Sequence, residues 1–388
     1  VLLTAARQPD STREARIVNI TQLLAVGVVT ADLDATLPQY AKYLGIDDWT
    51  VEDVTADRIT ESVCHGRRNG GTYRTAFGRT TADTEGPGPM GRKPESIPFE
   101  IVQPTGGETP FNEFWLSRGE GIAWLTVLAD GSDADVEAHF SGLGIGCAHT
   151  HLVDGTRRRT FWDTRAELGG YLLEVVTSEP ERTGVSVHHN GQALRGNSAD
   201  GTPRRPLPLQ GINHFGVVVD DTMASCDAYH RVLGIEHFAI KTWQTEEGRL
   251  DAPYYRDQNP VQHGYFTAQG FVGNLGFEII QCKYGDSHYN REFTDQRGPG
   301  IHHMFPYLTK DQADWDLSVT TMAELGAGLC MGSDLRGGAA EYGYFDTFDQ
   351  LGGYLIEGVI RRFPAEDRYM APDWEVDFAK APEAEGTR

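Results

Sequence analysis

The chain has 388 residues and a formal net charge of -22, with 34 Lys and Arg against 56 Asp and Glu. That balance excludes the clustered basic surface that nucleic acid requires and disfavours highly anionic substrates, so the acidic residues read as a solvated face. A hydrophobic content of 39 % with 23 % charged residues is that of a globular protein, and the length allows two domains with a core each.

No apolar run reaches the ~18 residues that would span a bilayer, so no membrane partner is expected. The opening VLLTAARQPDSTREAR lacks the basic start and long apolar core of a signal peptide. Cys64, Cys147, Cys226, Cys282 and Cys330 are scattered and show no CxxC spacing, which points to free thiols in a reducing cytoplasm. The 45 glycines imply many turns and favour strands over helical bundles.

Residues 1–20 read as a polar lead-in. LLAVGVVTADLDATLPQYAKYLGI (23–46) then reads as strand, turn and helix, with Leu37, Tyr40 and Leu44 at helical spacing. The phrase returns as INHFGVVVDDTMASCDAYHRVLGI (212–235). Gly27 matches Gly216, Tyr40 matches Tyr229 and Leu44-Gly45-Ile46 matches Leu233-Gly234-Ile235, at a constant offset of 189 (216 − 27). FEIVQ (99–103) is answered by FEIIQ (277–281), RGEGIAW (118–124) by RGPGIHH (297–303), and WDTRAELGGYLLE (162–174) by FDTFDQLGGYLIE (345–357).

The chain therefore reads as two homologous halves, 21–180 and 211–362. A Gly- and Pro-rich linker, 181–210, joins them, and a tail, 363–388, follows. Each half divides again into a strand, a helix and several strands, with second entry strands near 121 and 301. The last helix is expected over 310–327. Four βαβββ modules in an α+β fold follow.

Four residues stand out as an imidazole or carboxylate set in an otherwise apolar strand: His214 in GINHFGVVV, Glu278 in FEIIQ, His303 at the end of RGPGIHH and Glu357 in GGYLIEGVI. Such a position is costly for a polar group unless it is paired or bound to metal. Between the halves, His214 is matched by Ala25 and His303 by Trp124, whereas Glu278 and Glu357 keep Glu100 and Glu174 as counterparts. Two imidazoles with one or two carboxylates therefore assemble only in the second half. They suit a divalent ion such as Fe, Co, Zn, Ni or Mn. No cysteine joins the set, so tetrahedral structural zinc is not expected. A lone strand histidine is more often a hydrogen-bonded core residue; the equivalent placement of these in repeated units favours metal. Glu278 keeps a structural alternative, since Glu100 persists where metal is not expected. Strand alternation sends one of the adjacent histidines into the site; His303 is assigned there and His302 behind it.

These residues, with FEIIQ…GDSHYNREFTDQRGPGIHHMF, resemble the vicinal oxygen chelate superfamily, which includes glyoxalase I, methylmalonyl-CoA epimerase and the extradiol dioxygenases. The resemblance implies βαβββ modules paired into two cupped mixed β-sheet domains. It places the metal ligands His214, Glu278, His303 and Glu357 on the first and last strands of the two C-terminal modules. It also implies a metal-dependent enzyme whose small-molecule substrate presents two oxygens to the ion. The expected chemistry is isomerase, epimerase or lyase type, with proton abstraction beside a carbonyl and Glu357 or Glu278 as ligand and base in turn. The alternative is an Fe(II) extradiol-type ring-cleaving dioxygenase, a class whose members often carry metal only in the C-terminal half. A third reading is a small-molecule binding or resistance protein, against which the retained His/Glu set argues. His263 in QHGYF and Tyr255 are candidate acid–base partners. Trp243, Tyr265, Phe266 and Phe271 are candidate walls for an aromatic ligand. A homodimer is left open as the assembly.

Overall fold

The computed structural model describes residues 18–81, 94–189, 196–197, 203–204, 207, 209–246, 249–309, 311–335, 337–362 and 371–379. The lead-in falls almost wholly outside these residues, and so does much of the tail.

The first module runs from a strand at Ile20–Val29 through a helix at Leu33–Leu44 to strands at Asp48–Val54, Thr72–Arg79 and Pro98–Gly106. The second has a strand at Gly121–Ala129, a helix at Asp133–Gly142 and strands at Cys147–Val153, Arg157–Trp162 and Leu172–Val176. In the second half the sequence repeats: His214–Val218, helix Thr222–Leu233, then His237–Gln244, Gly264–Val272 and Leu275–Tyr284. The last module has Gly300–Thr309, helix Gln312–Glu324, then Leu329–Leu335, Ala340–Phe345 and Leu355–Arg361. All four βαβββ modules are present. The last helix is shorter than its expected 310–327, because Asp311 caps it by accepting from the Asp314 N–H and Leu325 closes it.

Each half forms one mixed sheet, and the two module entry strands meet antiparallel at its centre. The short strand Val185–His188 adds to an edge of the first sheet, and Trp374–Asp377 adds to an edge of the second. So part of the stretch read as linker and part of the tail are sheet.

The repeated phrase is a capped helix following a strand. Asp32 and Asp221 accept from the Ala35 and Ala224 N–H groups, and Gly45 and Gly234 close the helices at positive φ (66° and 75°). The glycines matched inside the preceding strands have a different role. A Cβ on Gly216 would lie 1.8 Å from the His303 ring, and one on Gly27 would lie 2.0 Å from the Trp124 ring. Each glycine makes room for the large side chain of its cross-strand partner.

The motif LGGY, present in both halves, builds the contact between them. Tyr40 of the first half donates to the Leu351 carbonyl (2.9 Å) and receives the Tyr354 hydroxyl (3.0 Å). By the same logic Tyr229 donates to the Leu168 carbonyl (2.8 Å) and receives Tyr171 (3.1 Å). The paired glycines at 169–170 and 352–353 all take positive φ, which turns each leucine carbonyl outward to its tyrosine. Thr164 and Thr347 hold the returning chain by donating to the carbonyls of Tyr171 and Tyr354. Around these bonds the helices of both halves share one apolar core that includes Leu37, Tyr40, Leu44, Tyr229, Val232 and Leu233.

Removing one hydroxyl leaves a buried carbonyl without its donor. Tyr229→Phe should therefore lower unfolding stability by about 1–3 kcal/mol, and Tyr40→Phe by a similar amount. Denaturant titration reads this; a loss below about 0.3 kcal/mol for both variants would contradict the latch.

Candidate metal centre

The register of the second sheet brings the four singled-out side chains to one point. Gly216 pairs with Glu278 on one side and His303 on the other, and His303 pairs with Leu355, two residues before Glu357. All four residues are buried, and one donor atom from each lies within 4.8 Å of the others. His214 Nε2 is 3.2 Å from Glu357 Oε2 and 3.6 Å from Glu278 Oε2. His303 Nε2 is 3.5 Å and 3.7 Å from the same two oxygens.

Three of these four separations exceed an ordinary hydrogen bond, and all suit atoms that share an ion. His214 Nε2, His303 Nε2 and Glu357 Oε2 are buried without a hydrogen-bond partner among the described residues. Orphaned buried polar atoms are rare, and three around one centre fit a divalent cation.

The groups behind the four donors fix their orientation. Asn213 Oδ1 lies 2.8 Å from His214 Nδ1, so that nitrogen carries the proton and Nε2 presents its lone pair. Behind His303 stands a row of imidazoles. His303 Nδ1 lies 3.0 Å from His302 Nδ1, and His302 Nε2 lies 2.9 Å from His288 Nδ1. His288 Nε2 faces the Glu292 carboxylate at 3.6 Å. Burial holds His302 well below the usual imidazole range and His288 at about 4, so both are neutral. With His303 Nε2 turned to the centre, one tautomer pattern serves the two bonds of the row: His303 Nδ1 donates to His302 and His302 Nε2 donates to His288, whose Nε2 faces Glu292. Glu292 is itself held by Tyr255 (2.5 Å) and Arg256. Glu278 is anchored separately, accepting from Gln269 Nε2 at 3.2 Å.

Burial disfavours the charged form of His214, but the carboxylates of Glu278 and Glu357 outweigh it and raise its pKa above the ordinary 6.5. Burial likewise pushes Glu357 up, yet the imidazoles of His214 and His303 facing it hold it at about 2.

His303 occupies the inward place assigned to it, and His302 stands behind. Tyr255 does not join the four donors, since its hydroxyl is spent on Glu292. His263 is buried edge-on to Tyr265 (5.7 Å) with neither ring nitrogen hydrogen-bonded among the described residues. Trp243 and Tyr265 lie inside the cup, whereas Phe271 is 38 % exposed. His288 and Asn213 were not singled out by sequence. Asn213 immediately precedes a candidate ligand, a place where a carboxamide can fix the ring; His288 has no spacing that marks it.

The first cup answers why Glu100 and Glu174 persist without histidines. Arg159 reaches both: its Nη1 donates to Glu100 Oε1 (2.6 Å), and its Nε donates to Glu174 Oε1 (2.6 Å). Arg182 adds a bond to Glu100 (2.9 Å), and Thr126 donates to Glu174 (2.7 Å). Burial raises the Glu100 carboxyl, but Arg159 and Arg182 outweigh it and hold it at about 2. A cavity of about 750 Å³ opens in this cup, but Glu52, Glu100 and Glu174 on its wall are taken by guanidinium groups.

No family model matches the chain, and no curated protein matches it. Among solved structures the chain is similar to a triple-substituted variant of 4-hydroxymandelate synthase from Streptomyces coelicolor. The TM-score is 0.58 at 11 % identity, covering 93 % of this chain and 98 % of that one. At that identity the likeness speaks for the fold: two cupped mixed sheets in the two-domain vicinal oxygen chelate arrangement.

Protons and a cation compete for this centre, and the sign follows from the shifts. In the metal-free protein His214 stabilises the fold below about pH 6.5, and that contribution is lost as pH rises through its raised pKa. Glu357 contributes above the ordinary carboxyl pKa and loses its contribution only as pH falls towards 2. A cation must displace the His214 proton, so the gain in melting temperature on adding Co(II) should grow from about pH 5.5 to about pH 8. A gain independent of pH across that range would contradict the assignment of His214.

Proposed function

We propose that the chain is a metal-dependent enzyme of the isomerase, epimerase or lyase type, acting at a carbon beside a carbonyl of a small organic substrate. The observation that carries this reading is that both carboxylates, Glu278 and Glu357, converge with the two imidazoles. Two imidazoles and two carboxylates would hold a divalent cation and leave it open to a chelating substrate. The bound divalent cation would supply Lewis-acid stabilisation of the negative charge that develops on a substrate oxygen.

The chain's own residues divide the remaining work. His214 and His303, each fixed by the bond at its other nitrogen, orient the set. Glu278, ligand and base in turn, is assigned the proton, since Gln269 ties only its Oε1 and leaves Oε2 facing the centre. Glu278 would take the proton from carbon, and the electron pair of the broken C–H bond would pass to the carbonyl oxygen as an enolate. Trp243, Tyr265, Tyr342 and Tyr344 enclose the site and keep water from that anion.

A second reading rests on a specific feature. If Gln269 holds Glu278 aside, the remaining two imidazoles and one carboxylate form the set used by non-haem Fe(II) oxygenases. Similarity to a hydroxymandelate synthase variant supports that alternative.

The readings part on one measurement. With Co(II), Ni(II) or Mn(II) bound under nitrogen, the protein should exchange the α-protons of hydroxyacetone with D₂O, visible by proton NMR. Glu278→Gln should slow the exchange at least about a hundredfold. Absence of exchange, together with oxygen uptake on catechol by the Fe(II)-loaded protein, would overturn the first reading in favour of the second.

A further inference from the structure

Lys241 lies on the His237–Gln244 strand opposite Thr267, and its side chain shares the inner face of the cup with Trp243, whose Nε1 donates to Thr267 Oγ1 (3.0 Å). Lys241 is only 4 % exposed. Its ammonium carries three donors, yet among the described residues it makes a single long hydrogen bond, to Gln269 Oε1 at 3.4 Å. No carboxylate of the described residues forms an ion pair with it. Gln269 links it to the centre by donating to Glu278 Oε1. Nearby, Arg249 turns one nitrogen to Asp373 and leaves Nη1 buried without a partner among the described residues.

Charge counting shows what is missing. Glu278 and Glu357 balance a divalent cation, and the histidines that ligate it are neutral. Among the described residues, Lys241 then leaves the site with one positive charge in excess. A buried unpaired charge is costly, and a ligand that brings one negative charge removes the cost. A monoanion fits this excess better than a dianionic phosphate. Trp243, on the same face of the strand as Lys241, belongs to one buried cluster with Tyr265 and Tyr342, aromatic faces that suit a flat ring or conjugated chain.

We infer that the second cup takes a planar substrate bearing one carboxylate, seated on Lys241, at the end remote from the two oxygens offered to the four donors. The inference rests on the metal-centre reading above and adds the substrate class to it.

Catechol and 3,4-dihydroxybenzoate test it as probes. They share the same pair of oxygens, and only the second carries a remote carboxylate. Titrated under nitrogen into the Co(II)-loaded full chain, both should perturb the cobalt absorption spectrum, with the carboxylate probe binding at least about tenfold more tightly. Lys241→Met should erase that preference and leave catechol binding and cobalt content unchanged; Lys241→Gln serves as the second variant if Lys241→Met loses cobalt. A preference that survives both substitutions, or no preference in the unmodified protein, would overturn the carboxylate subsite while leaving the metal centre standing. Failure of the protein to hold cobalt, or of catechol to perturb its spectrum, would sink the metal reading and the subsite with it.

Discussion

Two glutamates buried in the middle of a sheet must be neutralised, and the whole molecule is arranged around that requirement. Each half presents a pair at equivalent positions, Glu100 with Glu174 and Glu278 with Glu357. Stripping one partner from a buried charge pair costs about 3–5 kcal/mol, so neither pair can be left alone. The first half solves this internally with the Arg159 guanidinium, which bonds to both carboxylates. The second half has Tyr342 where the first has Arg159, as shown by the pairings of Glu174 with Phe161 and Glu357 with Tyr344. It offers two imidazoles instead, and under the proposed function an external cation would complete the charge balance. One cup is closed by its own arginine, and the other would take its cation from solution.

The scaffold that holds this arrangement is also symmetric. The same Tyr–carbonyl latch is used twice, each half supplying the tyrosine of one and the Leu-Gly-Gly turn of the other. Because the latch lies behind the sheets, it fixes the halves without entering either cup. The strand-centre glycines play the matching part inside. Gly216 admits the His303 ring, whereas Gly27 admits Trp124, so one backbone accommodates a candidate ligand in one half and a core residue in the other.

Much of this was legible in the chain. The internal repeat fixes the four modules, because a strand–capped helix–strand phrase recurring at a near-constant offset has few other physical readings. His214, His303 and Glu357 stand out because polar residues in apolar strands demand a partner. The structure gives Glu100 its own partner, Arg159, which lies far along the chain in a run of three arginines and has no spacing that marks it. The row from His303 through His302 to His288 was hidden for a related reason. It joins residues from a π-helical turn and a strand, and no periodicity links such elements. LGGY was visible as a repeat, but its role as a latch depends on tyrosines in the other half.

The central claim is that the second pair of glutamates is completed by a divalent cation held through His214 and His303. Elemental analysis of the full chain, saturated with Co(II) and then freed of excess ion by gel filtration, tests it most directly. The account predicts about one ion per chain, lost on His303→Ala substitution in a protein that stays folded. Retention of the ion by His303→Ala, or no ion bound by the unsubstituted chain, would contradict it.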